Sequence, residues 1–172
     1  MIKRLLVPLD GSELAEEALI AAGDLAESVD GTVIIVRAVP PPVPGRFYAP
    51  KLLEQVEDAQ QREADAYLKE VAKRLQNDRL RVETHVLKGE AAPAIVQFAE
   101  REGCHMIVMC SHGMGGLAKQ VFGSVSQKVL YASTRPVLII RPTPAELERE
   151  EEFEERAADD AVLQELSARN QP

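Results

Sequence analysis

A glycine-rich segment and a Gly-Ser pair carry the residue types best suited to binding a phosphate group. Residues 111–117 read Ser-His-Gly-Met-Gly-Gly-Leu, directly after the apolar run 106–110, and Gly123-Ser124 opens the next helical segment. Glycine tolerates positive φ and lets a bare backbone approach a ligand closely. Such a loop beside a helix N-terminus presents N–H groups and hydroxyls to an anion. The pattern predicts a nucleotide or phosphate site; the alternative is a strand-to-helix reversal that binds nothing.

Two well-known phosphate-binding motifs are excluded by single residues. A Walker loop closes with Gly-Lys-Ser or Gly-Lys-Thr, whereas Lys119 follows Ala118 and precedes a glutamine. The dinucleotide fingerprint needs a third glycine at position 118 and normally follows the first strand of its fold. The sequence therefore fits neither a P-loop NTPase nor a Rossmann dehydrogenase.

Strand-like and helix-like periodicities alternate along residues 1–142. Apolar, β-branched runs predict five strands, and apolar residues at helical spacing predict four helices, the first with Ser12 as its N-cap. This alternation indicates an α/β fold with a doubly wound, five-stranded parallel sheet in the order 3-2-1-4-5. The expected strands are 2–9, 32–39, 80–87, 104–110 and 136–141, and the helices follow Ser12, cover 51–76 and 91–102, and follow Gly123-Ser124.

This strand order brings two distant polar segments together. Strands one and four lie side by side, and ligands of such sheets bind at the carboxyl ends of the strands where the winding reverses. Asp10 lies in the turn after strand one, and the glycine-rich segment follows strand four. Both segments are therefore expected to line one crevice.

The net charge of −8 is concentrated at the C-terminal end. Residues 143–172 hold ten acidic residues against three arginines, a net charge of −7, so residues 1–142 are close to neutral. No basic stripe is present, which argues against nucleic-acid binding. The apolar runs are far shorter than the roughly 20 residues of a membrane span. The N-terminus also lacks the features of a signal peptide, so we expect a cytoplasmic protein.

The two cysteines are also consistent with a cytoplasmic protein. Cys104 and Cys110 flank one predicted strand, which separates them by about 20 Å along it. That distance excludes an intramolecular disulfide. Buried, unreactive thiols are expected, and no metal site is predicted.

Four segments together resemble the universal stress protein family. They are Val7-Pro8-Leu9-Asp10-Gly11-Ser12, the loop 111–117, Gly123-Ser124-Val125 and Pro136-Val137-Leu138-Ile139-Ile140. The resemblance covers residues 1–142 and implies the adenine nucleotide alpha hydrolase-like variant of the Rossmann-like fold. The nucleotide-binding branch of the family has the pattern G-x-x-G, nine residues, G-[ST]. Gly113, Gly123 and Ser124 match its last three elements, whereas Cys110 replaces the first glycine.

The resemblance also implies roles for individual residues. Asp10 would accept hydrogen bonds from adenine or ribose, Pro8 would flank the base, and the backbone of Ala38 would bond the adenine edge. The loop around the phosphates would comprise Cys110, Ser111, His112, Gly113, Met114, Gly115 and Gly116. The phosphates, carrying Mg²⁺ or Mn²⁺, would be held at Gly123, Ser124, Val125 and Ser126. The simpler alternatives are that Asp10 is only a turn aspartate that caps the helix and that Ser124 is only an N-cap.

The function implied is an ATP-binding stress or signalling module, with ADP or AMP as other possible ligands and an unknown protein partner. Rapid hydrolysis needs a positioned base and cations, and none is evident beyond Asp10, so we expect little or no turnover and assign no catalytic residue. Two alternatives stay open. One is a nucleotide-free dimeric interaction module in which Cys110 marks a degenerate pocket, and the other is a slow ATPase or adenylating enzyme.

The last predicted strand and the segment after it suggest contacts between copies. Pro136 to Arg141 is apolar and is expected at a sheet edge, which favours pairing with another copy. The resemblance likewise implies a homodimer through this strand. We therefore predict a universal stress protein domain at 1–142 and an acidic helical extension at 143–172. The extension is expected to be a solvated helix, the alternative being a helix that docks on the partner subunit.

Overall fold

The computed structural model describes residues 2–41, 50–111 and 123–149. Within these ranges the chain alternates between strands and helices as the periodicity predicts, with strand ends within two residues of the expected ones. The elements are β1 Arg4–Pro8, α1 Glu13–Ser28, β2 Thr32–Val39, α2 Pro50–Leu75, β3 Arg81–Lys88, α3 Ala91–Arg101, β4 Met106–Cys110, α4 Ser124–Ala132 and β5 Val137–Ile140.

The strands form one five-stranded sheet in the order β3-β2-β1-β4-β5. Every neighbouring pair is parallel. The predicted fold class and strand order are therefore confirmed. Because all five strands run in the same direction, the turns after β1, β2 and β4 lie along the same carboxyl edge of the sheet.

Alternate side chains of β1 enter two separate hydrophobic layers. Leu5 and Val7 pack with α1 and α2, whereas Leu6 packs with α3 and α4 on the other face. A strand buried on both faces must be apolar at successive positions, which explains the uninterrupted run at the start of the chain. The edge strand β3 is more exposed, and Leu87 is its one buried residue.

Helix α1 begins as the sequence predicts. Ser12 is its N-cap, and the Ser12 hydroxyl accepts a hydrogen bond of 3.1 Å from the amide of Ala15. This bond supplies a partner for one of the amides that the first turn leaves without one. The cap thereby fixes the direction in which the chain leaves β1.

The described helices include none that is both long and apolar enough to cross a membrane. The cytoplasmic location stays a prediction. The division of the chain at residue 142 also stays a prediction, although β5 ends at Ile140 and a further helical segment, 144–149, follows it.

Truncating a side chain in the sheet should lower the free energy of unfolding far more than truncating one on the outer surface of α1. We expect Ile34→Ala to lower the free energy of unfolding by about 2–5 kcal/mol, because it leaves a cavity in a close-packed layer. Ile34 is wholly buried, whereas Ile20 is 64% exposed. Urea denaturation should therefore show a change within about 0.5 kcal/mol for the control Ile20→Ala. Equal losses in the two variants would contradict the assignment of β2 to the core.

Candidate functional site

The turn after β1 holds Asp10 in a defined orientation. The Ser12 amide and hydroxyl both donate to Asp10 Oδ1, at 3.0 and 2.7 Å. Ser12 is itself buried and fixed by its bond from Ala15. Asp10 therefore does not cap the helix directly; it is held by the residue that does. This arrangement places a carboxylate at the carboxyl end of the central strand.

Gly11, between these two residues, occupies a conformation that favours glycine. Its φ is +102°, a region that residues with a Cβ rarely adopt. A Cβ placed on Gly11 would lie 3.6 Å from the Arg37 guanidinium carbon. The guanidinium therefore lies close to the turn, and an added Cβ would make an ordinary van der Waals contact with it. The positive φ, and not a lack of space, favours glycine here.

Arg37 joins this turn to α2. Its guanidinium pairs with Glu63 at 3.5 Å and lies 5.2 Å from the centre of the Tyr67 ring. The Tyr67 hydroxyl donates to Glu16 Oε1 of α1 at 2.9 Å. Contacts among β2, α1 and α2 thus support the turn that carries Asp10.

Sequence reasoning missed Arg37, Glu63 and Tyr67. Their contacts join residues far apart in the chain, and none belongs to a recognisable motif. One signal was available, because Arg37 interrupts an otherwise apolar buried strand, Thr32–Val39. A charged residue in such a run requires a specific partner.

The second half of the site lies where β4 ends and α4 begins. The Ser111 amide donates to the Ile140 carbonyl at 2.8 Å, and the Ser111 carbonyl accepts from the Gly123 amide at 2.6 Å. The Ser126 hydroxyl donates to that same carbonyl, at 3.0 Å, or to the Gly123 carbonyl, at 2.9 Å. The two ends of the segment 112–122 are consequently tied together beside β4.

The first turn of α4 has amides without a side-chain cap and an exposed hydroxyl. Gly123 is the N-cap, so no side chain of the N-cap satisfies the amides of the first turn, and that turn contains no acidic residue. Ser124 and Val125 are exposed, whereas Ser126 is buried. The hydroxyl of Ser124 can therefore face a ligand, while that of Ser126 bonds within the fold. A helix N-terminus of this kind attracts anions.

The remaining predicted site residues lie along the same edge or outside the described part. Pro8 ends β1, Ala38 lies near the end of β2, and Cys110 ends β4 with a buried side chain. Cys104 is buried as well, and no disulfide joins the two cysteines, as the sequence predicts. His112, Gly113, Met114, Gly115 and Gly116 lie outside the described residues. Among the residues that are described, no cluster of His, Cys, Asp or Glu could hold a metal ion.

A doubly wound sheet with polar turns meeting at its carboxyl edge defines the structural class. The model of the universal stress protein family matches residues 1–141. The chain belongs to this family, as the resemblance of the sequence motifs indicated.

Individual relatives agree in sequence and in fold. Universal stress protein YxiE of Bacillus subtilis is 30% identical over 148 residues, which span 82% of this chain and all of that protein. The structure of MJ0577, a universal stress protein of Methanocaldococcus jannaschii, has a TM-score of 0.74 at 28% identity, covering 83% of this chain and 98% of its own. A universal stress protein of Archaeoglobus fulgidus in complex with dAMP has a TM-score of 0.56 at 23% identity. The match covers 81% of this chain and 99% of that chain. This last likeness concerns the fold alone.

Removal of the Ser12 hydroxyl should affect both the cap and the carboxylate. We expect Ser12→Ala to cost about 1 kcal/mol of stability, as loss of an N-cap typically does. Ser28→Ala is a matched control, since the described bond of the Ser28 hydroxyl is one to the Leu25 carbonyl at the exposed end of the same helix. Thermal unfolding should show a larger loss for Ser12→Ala. Equal stability of the two variants would contradict the capping role.

The environment of Tyr67 predicts a loss of stability at high pH. Burial, followed by the hydrogen bond to Glu16, raises the pKa of Tyr67 above its ordinary value of 10.0. A raised pKa in the folded state gives stability that is fully present below the unfolded pKa and is lost as the pH rises above it. Denaturation at pH 8 to 11 should therefore show a steeper alkaline loss for the native chain than for Tyr67→Phe. Superimposable curves would contradict this assignment.

Proposed function

We propose that this universal stress protein binds ATP in the crevice at the carboxyl ends of β1 and β4 and turns it over slowly or not at all. The observation that carries the proposal is the meeting of two turns along one sheet edge. One turn offers an oriented carboxylate at Asp10, and the other offers an exposed Ser124 at an uncapped helix N-terminus. A carboxylate suits a nucleoside's donors, and a helix N-terminus suits its phosphates.

We propose for the individual residues the roles that the family resemblance implies. Asp10 accepts from adenine or ribose, Pro8 flanks the base, and the Ala38 backbone bonds the adenine edge. The first turn of α4, at Gly123, Ser124 and Val125, holds the β- and γ-phosphates with their Mg²⁺ or Mn²⁺, and the loop from Cys110 to Gly116 wraps around them. Because its hydroxyl bonds the Ser111 and Gly123 carbonyls, Ser126 supports this turn and offers its backbone amide to the ligand.

The same geometry supports binding over catalysis. Phosphoryl transfer needs cations at the developing charge and a group that orients the attacking water. The Arg37 guanidinium is already engaged by Glu63 and Tyr67, and Asp10 is held by Ser12. The fold itself accommodates adenine nucleotides in at least one universal stress protein, the Archaeoglobus fulgidus protein in complex with dAMP.

We extend the proposal to a homodimer formed through β5, in which the nucleotide state is passed to a further protein partner. β5 is the edge strand of the sheet, and Leu138 at its centre is partly exposed. Leu130 and Tyr131 of the neighbouring helix α4 are exposed as well. Unpaired edge groups flanked by apolar side chains favour pairing with a second copy.

A second candidate is a dimeric module that binds no nucleotide. It is favoured by Cys110, a buried side chain at the position where the family's nucleotide-binding pattern has glycine. The thiol lies at the end of β4, immediately before the loop that would surround the phosphates. The two candidates differ only in whether the crevice takes a ligand.

Calorimetric titration with ATP and Mg²⁺ tests the proposal directly, after a denatured sample has been analysed for co-purified nucleotide. We expect saturable binding in the micromolar range. Asp10→Ala should weaken it about tenfold or more, because a hydrogen bond to a charged group is lost. Asp24→Ala is the control, since Asp24 is an exposed carboxylate of α1. Gly113→Val should also weaken binding by placing a side chain in the loop.

Two results would count against ATP binding. One is a folded protein that gives no heat and carries no nucleotide, which would mean that the crevice is closed and would favour the nucleotide-free module. Alternatively, Asp10→Ala and Asp24→Ala could bind ATP equally well, which would place the ligand elsewhere.

A further inference from the structure

The region around α4 and β5 differs from the rest of the chain in its charge. From Cys104 to Ala145 the sequence contains no Asp or Glu but four basic residues, although the whole chain has a net charge of −8. Three of them lie in the described part, where Lys128 and Arg141 are exposed and Arg135 is half-buried. None of the three forms an ion pair with a described carboxylate.

Arg135 is the most unusual of these cations. Its Nε atom is buried and has no hydrogen-bond partner among the described residues. A buried donor without an acceptor costs free energy, and a guanidinium is best satisfied by a carboxylate or phosphate. One described carboxylate is close by, since Glu100 accepts from the hydroxyl of the adjacent Thr134 at 2.9 Å, but no described ion pair joins it to Arg135. The guanidinium can therefore pair with a further anion.

Exposed apolar side chains lie beside these cations. Four of the seven large hydrophobic residues that are exposed in the described part belong to α4 or β5, and Tyr131 is 82% exposed. We call this surface the α4–β5 face; it comprises Val125, Lys128, Leu130, Tyr131, Arg135, Leu138 and Arg141. An apolar patch rimmed by cations fits an amphipathic segment that is acidic on its polar side.

The chain contains one such segment, and it follows β5 directly. Residues 146–172 hold ten acidic residues and an apolar set at helical spacing: Leu147, Phe153, Ala157, Ala161 and Leu166. Its start is structured as a helix, because the Thr143 hydroxyl accepts from the Glu146 amide at 3.4 Å and Glu146 Oε2 accepts from the Thr143 amide at 2.6 Å. This reciprocal pair is a capping box, with Pro144 in the first helical position.

We propose that the acidic extension of one copy packs on the α4–β5 face of a second copy, an inference that rests on the β5 dimer proposed above. If two β5 strands pair antiparallel about Leu138, Arg141 of one copy lies opposite Arg135 of the other. Like charges in that position repel. Glu146 and Glu148 follow within two turns of helix, so the extension supplies anions where these arginines meet.

The geometry favours the second copy over the same chain. The extension leaves its own β5 at the carboxyl end, whereas Arg135 and Tyr131 lie at the opposite end of that strand. In an antiparallel pair the extension instead emerges beside Arg135 and Tyr131 of the other copy. The contact therefore continues the interface of the strands and needs no reversal of the chain.

Cross-linking between two full-length variants tests the arrangement. A Tyr131→Cys chain is mixed with a Phe153→Cys chain carrying a longer tag, under mild oxidation; the native cysteines are buried. We expect a disulfide that joins the two different chains, identified by the size of the product on a non-reducing gel and by mass spectrometry. Ile20→Cys replaces Tyr131→Cys in the control, because Ile20 is exposed but lies on α1. It should give little of this product.

Charge reversal tests the electrostatic part. Arg135→Glu should lower the yield of the mixed disulfide about tenfold, because it places a like charge where the acidic extension docks, and the remaining yield should depend less on salt. The readout is the disulfide and not the dimer affinity, since the same substitution also relieves the repulsion by Arg141 in the strand pair. Arg135→Lys should retain most of the yield. Arg79→Glu carries the same charge change at an exposed position before β3 and should leave the yield unchanged.

The outcomes separate the two layers of the proposal. A native chain that sediments as a monomer at every concentration overturns the dimer and the docking together. A dimer without the mixed disulfide, or one in which Arg135→Glu and Arg79→Glu behave alike, overturns the docking alone. As a last comparison, one chain carries both Tyr131→Cys and Phe153→Cys. If a disulfide forms only within this single chain, the extension packs on its own copy, and the proposed docking on the second copy is wrong. ATP binding is measured separately and is unaffected by these results.

Discussion

The burial of β1 between β2 and β4 is the constraint on which the rest of the structure depends. Leu5, Leu6 and Val7 are wholly inaccessible to solvent and pack into both layers of the core. A strand with this pattern is stable only at the centre of a parallel sheet covered on both faces. Once it is there, the chain must leave it at the carboxyl edge, next to the end of β4. The crevice is therefore a consequence of where the most apolar strand lies.

The polar groups at that edge are held by short hydrogen bonds within the fold. Asp10 is fixed by Ser12, and the ends of the segment 112–122 are joined through the Ser111 carbonyl. The Arg37 guanidinium lies close to the first turn, beside Gly11. Groups oriented in advance lose less conformational entropy when a ligand binds. A crevice of this construction suits the recognition of a ligand that we propose.

The parts of this arrangement that the sequence predicts are those with local signals. Strand order followed from alternating periodicities, and Ser12 was recognisable as an N-cap because an apolar face at helical spacing begins directly after it. The contact of Arg37 with Tyr67 has no local signal, since it depends on how α2 packs across β2. The sequence likewise gives no sign that Ser124 is exposed whereas Ser126 is buried. Both are hydroxyl residues of one helix turn, and only the position of the Ser111 carbonyl decides which one bonds inward.

Helix α4 connects the proposed nucleotide site with the proposed contact between copies. Its nine residues span about 13 Å, with the exposed Ser124 at the crevice and Tyr131 at the opposite end. Val129 fixes the helix in the core between these two surfaces. The family match ends at residue 141, just before the capping box that starts the extension. The proposed crevice thus lies within the part of the chain that the family model matches, whereas a contact made through the extension depends on residues beyond that part.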